Sequence, residues 1–138
     1  MKELIEKYLG EGIKLPRLKE KSYIAKEIQK YTDKNDIKDV ASWLNTTIDK
    51  LLFNYKVIPL KKLEKQIDEM EGTYSEFSKD EERTQIIYKQ YKHGGQIFPI
   101  FIEKNDPYLF VMEGRHRMVA MKWMDLKKLP VFFVEKRL

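Results

Sequence analysis

Cysteine is absent from this chain, which excludes disulfides and any zinc site built on thiolates. Long hydrophobic runs are absent too. No stretch approaches the ~20 apolar residues of a membrane-spanning helix, and the opening segment MKELIEKYLGEG has no apolar core of a secretion signal. The expectation is a cytoplasmic protein with no membrane partner. Blocks of like charge are also missing: charged residues make up 36% of the 138, yet they alternate in sign, and no repeat or low-complexity tract interrupts them. What is present is globular, with 42% hydrophobic residues, 7 Phe, 8 Tyr and 2 Trp, enough for one cored domain and a small appendage. The net charge of +5 permits a nucleotide or nucleic-acid partner without requiring one, since many lysines fall on the outer faces of expected helices.

Apolar periodicity divides the chain at about residue 55. Before it, Ile24, Ala25, Ile28 and Tyr31 follow helical spacing behind Ser22 as a cap. Asp36 is placed to cap a second helix carrying Ile37, Val40, Ala41, Leu44, Ile48, Leu51 and Leu52. After it come a short strand at Val57–Leu60, a polar stretch at Gln66–Thr73 and a capping box Ser78-Lys79-Asp80-Glu81. The helix opened by that box carries Ile86, Ile87 and Tyr91 and ends at His93-Gly94-Gly95. Ile97–Ile102 reads as a buried strand, Asn105-Asp106-Pro107 as a turn, Tyr108–Met112 as a return strand and Leu129–Glu135 as the last strand. The fold class is therefore α+β, a small mixed β-sheet with packed helices over residues 56–138, preceded by a helical N-terminal extension over residues 1–55. Within that extension, Asp39–Leu51 faintly follows a helix-turn-helix pattern at Ala41, Leu44 and Ile48. Asp49 and the lack of base-reading side chains favour a helical brace instead.

The most informative stretch is Met112-Glu113-Gly114-Arg115-His116-Arg117. A strand breaks at a glycine, and Arg115, His116 and Arg117 occupy the first turn of the helix carrying Met118, Met121 and Met124. Free backbone N–H groups and the positive end of a helix dipole meet there, which is a place to hold an anion. Arginine adds bidentate bonds suited to phosphate. Glu113 is placed to hold Mg²⁺ or take a proton, or else to pair with a neighbouring arginine. Arg117 is expected to face a ligand and not the core, so that alanine there would leave the fold intact.

Glu113–Arg117, lying between Gly95-Gln96-Ile97-Phe98-Pro99-Ile100 and Leu129-Pro130-Val131, resembles the ParB/sulfiredoxin superfamily. The resemblance spans about residues 56–136, with Lys56–Leu63 as its first strand. It implies a nucleotide site at Gly114, Arg115, His116 and Arg117, with Gly95 in a first box where backbone amides approach the nucleotide. It also implies a nucleoside di- or triphosphate and Mg²⁺ as cofactors. The free serine kinase type carries Asp-Gly-His-His-Arg, shared here at Gly114, His116 and Arg117 with Glu113 in place of Asp. Members of that type have a catalytic Glu in the region of Glu64, Asp68, Glu69 and Glu71. Gly72-Thr73 favours Glu69 or Glu71, so the catalytic set is Glu113, His116 and Glu69. Sulfiredoxin activity is excluded, because Arg115 stands where that reaction needs a cysteine. The full partitioning clamp carries Gly-Glu-Arg-Arg and is not expected from Gly114-Arg115-His116-Arg117.

Two functions follow as expectations. The first is a nucleotide-binding, ATP-type phosphotransferase (kinase), NTPase or nuclease of the ParB-like kind, associated with phages or mobile elements. The second is a non-catalytic DNA-binding or protein-binding module whose basic turn holds a backbone phosphate; a homodimer is compatible with either.

Overall fold

The structure, a computed structural model, describes residues 15–75 and 78–137. Its centre is a long antiparallel pair, β2 (Leu51–Pro59) against β5 (Lys128–Lys136), registered from Leu51 opposite Lys136 to Pro59 opposite Lys128. Alternation makes β2 a strand: Leu51, Phe53 and Tyr55 are buried, while Leu52 and Asn54 between them are only partly covered. A short β1 (Ser22–Tyr23) pairs with β2 on its outer side. On the other side of β5 run a parallel β3 (Ile100–Glu103) and then an antiparallel β4 (Val111–Glu113), giving the order β1-β2-β5-β3-β4. This is the expected small mixed sheet of an α+β fold. Pro130 is tolerated in the central strand because β3 begins pairing one residue later, at Val131.

Each face of the sheet is covered. One carries Ile100, Ile102, Val111, Leu129 and Val131. It is packed by α2 (Glu64–Glu71), α3 (Lys79–Lys92) and α4 (Arg115–Trp123) through Ile67, Met70, Tyr91, Met118, Val119 and Met121. The other carries Phe53, Tyr55, Phe101, Phe132 and Val134 and is covered by a 3-10 helix (Ala25–Tyr31) and α1 (Lys34–Trp43), through Ile28, Ile37, Val40 and Ala41. Among the described residues no helix is long and apolar enough to cross a membrane.

Several elements differ from the sequence reading. Asp33, not Asp36, caps α1, its side chain accepting from the Asn35 N–H at 2.8 Å; Asp36 lies one turn in and is buried. Helix α1 stops at Trp43, where Asn45 takes a left-handed conformation, so Leu51 and Leu52 belong to a strand. Ser22 lies in β1 and does not cap a helix. The boundary at residue 55 falls inside β2, and the N-terminal residues share its sheet through β1. The polar stretch after the first strand is helical as α2, with only Ile67 and Met70 buried. That apolar face is too narrow to show as a stripe in the sequence. The cap of α3 is half of the expected box: the Ser78 hydroxyl accepts from the Glu81 N–H at 3.1 Å, while the Ser78 N–H donates to the Ser75 carbonyl.

Candidate functional site

Strand β4 ends at Glu113 and α4 begins at Arg115, so Gly114 alone makes the turn, with φ of +95°. Only glycine fits. A Cβ there would stand 2.9 Å from the Ile100 Cγ2 and 3.2 Å from the Arg117 Nε. No side chain caps α4, and the first intrahelical acceptor, the Gly114 carbonyl, is taken by the Met118 N–H at 2.9 Å. The N–H groups of the first turn are thus left for solvent or a ligand.

The three basic side chains of that turn diverge. Arg117 turns inward, donating to the Asp36 Oδ2 at 2.6 Å and to the Pro99 carbonyl at 3.1 Å, with both charged side chains only 11% exposed. It is not free to face a ligand alone, which corrects the expectation that alanine there would spare the fold. The bond joins α4, on one face of the sheet, to α1, on the other. His116 contacts the Asp80 Oδ1 through Nε2 at 2.9 Å, at the N-terminus of α3. Arg115 points elsewhere, into a separate cavity of about 250 Å³ that it shares with Gln66, Glu69, Thr73 and Phe110.

Glu113, Gly114, His116 and Arg117 line one cavity of about 340 Å³, together with Asp33 and Asp36. Ile87, Tyr91 and Phe98 supply apolar wall, and Gln90 and Gln96 supply amides. Glu69 does not line it, so the three carboxylate and histidine candidates divide between the two cavities: Glu113 with His116 in one, Glu69 with Arg115 in the other. Gly95 is accounted for by the end of α3. Its N–H donates to the Gln90 carbonyl at 2.8 Å, and a Cβ would stand 2.8 Å from that oxygen. Glu71 is held by Lys122 and by the Trp123 indole N–H at 3.0 Å, a tie between α2 and α4. A larger hollow of about 780 Å³ lies between α1, the 3-10 helix and the Thr46–Asp49 turn, and shares no residue with Gly114.

The cavity lining carries three carboxylates, Asp33, Asp36 and Glu113, against Arg117 and His116. Burial pushes the Asp36 carboxyl above its ordinary range, against the pull of Arg117. Burial likewise raises Glu113, with Asp36 and Asp39 adding to the effect and Arg117 opposing it. Asp80 moves the other way, lowered by the hydrogen bond from His116. Among the described residues no three acidic or histidine side chains converge to hold a metal. The uncapped N–H groups of the first turn, with His116 in the same cavity, are hydrogen-bond donors of the kind that an anion takes.

Asp36 and Asp80 are the site residues that the sequence reading did not assign. Asp36 had a signal, since it stands one helical turn before Val40, an acid on an otherwise apolar stripe. Asp80 had none beyond the capping box, because its partner is 36 residues away. No protein-family model, curated protein or solved structure matches the chain.

Proposed function

We propose that the chain is a ParB/sulfiredoxin-like domain that binds the phosphates of a nucleotide at the Gly114 turn, acting in the cytoplasm as a phosphotransferase, NTPase or nuclease. One observation carries the reading. A left-handed glycine opens the uncapped N-terminus of α4 into a cavity of about 340 Å³ that also holds Glu113 and His116. In this reading the N–H groups of the first turn hold phosphate oxygens, and His116 donates to them in exchange for its bond to Asp80. Arg117 positions the turn from behind through Asp36 and the Pro99 carbonyl. Glu113, whose carboxyl burial raises, is suited to accept a proton from an attacking hydroxyl or water. Mg²⁺ would enter with the phosphates, since among the described residues no three acidic or histidine side chains converge to hold it by themselves; it would neutralise charge on the transferred group.

The commitment of Arg117 to Asp36 favours a second reading. With one of its cations already paired, the turn could serve as a non-catalytic contact to a DNA backbone or a protein. The two separate by melting the protein with pyrophosphate, ADP and GDP, each with and without Mg²⁺. A nucleotide present at 100 times its dissociation constant should add about 2.7 kcal/mol of stability. His116→Ala should remove that gain while changing the unliganded stability by less than about 1 kcal/mol, because its partner Asp80 is more than half exposed. No gain with any of the three, together with DNA affinity that falls steeply with salt, would establish the second reading instead.

A further inference from the structure

The chain has two tryptophans, and the structure accounts for one. Trp123 packs edge-on against Tyr74 and Tyr88, at 6.2 and 5.8 Å between ring centroids, and its indole N–H is bonded to Glu71. Trp43, near the end of α1, is 61% exposed. It lines an open hollow of about 500 Å³ with Asp39, Ser42 and Glu113. Glu113 also lines the cavity at the Gly114 turn, so the two hollows meet at a single side chain.

The chemistry of this second hollow is specific. It offers one flat aromatic face, two carboxylates that accept hydrogen bonds when ionised, and one hydroxyl. A complementary occupant is flat, aromatic and rich in N–H donors along one edge. The carboxylates disfavour a nucleic-acid backbone lying across it, whereas a single base on the indole keeps its own phosphates away, beyond Glu113. Among the common bases, guanine presents a ring N–H beside an amino group, which suits a carboxylate; adenine presents only the amino group.

Resting on the phosphate reading given above, we infer that Trp43, with Asp39 and Ser42, forms a base subsite continuous with the Gly114 cleft, and that the ligand is a guanine nucleotide. The arrangement follows from α1 itself. Asp36, Asp39 and Trp43 recur at helical spacing; the first is tied to Arg117, and the other two border the hollow beside β4. One helix thereby both props the phosphate turn and supplies the stacking surface.

Pyrophosphate, GDP and ADP, each with Mg²⁺, are the probes, read by tryptophan fluorescence and by calorimetry. GDP is expected to bind about tenfold more tightly than pyrophosphate, the usual worth of one stacked base, and to quench the exposed indole. Trp43→Phe should abolish the quench, leaving the emission of Trp123 unmoved, while retaining most of the affinity. Trp43→Ala should bring GDP down to the affinity of pyrophosphate without altering pyrophosphate binding. Asp39→Asn should erase the preference for GDP over ADP. Pyrophosphate binding with GDP no tighter, or Trp43→Ala leaving GDP affinity intact, overturns the base subsite and leaves the phosphate cleft standing. Failure of pyrophosphate and GDP alike overturns the cleft and the subsite together. A loss of self-association in Trp43→Ala with nucleotide binding unchanged would assign the indole to a chain–chain interface and overturn the inference.

Discussion

The two faces of the sheet are built from different materials. Beneath α2, α3 and α4 the sheet presents isoleucine, valine and leucine, met by Met70, Met118 and Met121 and by Tyr91 from the helices. Beneath α1 and the 3-10 helix lie interlocked rings: Phe132 contacts Phe53, Tyr55 and Phe101 at centroid distances of 5.9, 5.5 and 5.6 Å, and Phe53 meets Phe101 edge-on at 6.0 Å. Aliphatic and thioether side chains adapt to a gap, and methionine most of all. Rings in mutual contact have fixed geometry and few ways to collapse. The difference indicates where the fold tolerates change: the three-helix face should accommodate substitution, and the aromatic face should not. The candidate site belongs to neither face alone. It sits where they meet, past the end of β4, with Asp36 from the aromatic side joined to Arg117 from the aliphatic side.

The largest effect should come from the centre of the ring cluster. Phe132→Ala is expected to cost roughly 4 kcal/mol, and Met121→Ala, equally buried on the opposite face, about 2–3 kcal/mol. Urea unfolding of the two variants measures the gap. Equal losses would break the comparison and show both faces to be packed with the same rigidity.

Next in size is the bond between the faces. Arg117→Ala leaves the Asp36 carboxylate buried without its partner, at an expected cost of about 3 kcal/mol. Replacing both partners by apolar side chains, Asp36→Leu with Arg117→Met, should recover most of that loss, because two desolvated charges are removed together. The deficit of the single variant should shrink on acidification, as the stranded carboxyl takes up a proton. A full loss in the double variant would mean that the two layers need this ion pair and not merely its packing.

Legibility in the sequence followed the same division. The aliphatic face was readable where its signals are local: the β3–β4 turn at Asn105-Asp106-Pro107, the Ser78 cap, the His93-Gly94-Gly95 end and the last strand lie close to the expected positions, whereas α2 was missed and β3 and β4 each begin three residues later than expected. On the aromatic face the stripe Ile37, Val40 and Ala41 of α1 was readable, and the strand that follows it was not. Phe53 and Tyr55 alternate as a strand, but they follow a helical stripe directly, and only the pairing of β2 with β5, some 80 residues away, decides between the two periods. The Gly114 turn was visible as a strand–glycine–helix junction. The directions of its three cations were not, because Arg117 is aimed by Asp36 across 81 residues and His116 by Asp80 across 36. Spacing can place basic residues on one helical turn; partners distant in sequence decide which of them remain for a ligand.

The smallest effect should fall on Glu113, which lines both the Gly114 cavity and the Trp43 hollow. Burial, with Asp36 and Asp39 nearby, raises the Glu113 carboxyl above its ordinary value of 4.5. A carboxyl raised in the native state holds its proton more readily there than in the unfolded chain. Its contribution to stability is therefore fully present below 4.5 and is lost as pH rises through the native value. Glu113→Gln removes that loss. The variant should be more stable than the parent near neutral pH by on the order of half a kcal/mol, a modest figure because the side chain keeps partial contact with water. The gap should close as pH falls below the native value, where the parent is also uncharged. If Glu113 accepts a proton or meets Mg²⁺ in the bound state, the sign reverses with ligand: the stability gained from nucleotide and Mg²⁺ should be smaller in the variant than in the parent. A carboxylate that destabilises the free protein and stabilises the liganded one is held for binding, whereas a variant more stable in both states would leave Glu113 as a carboxylate with no part in the site.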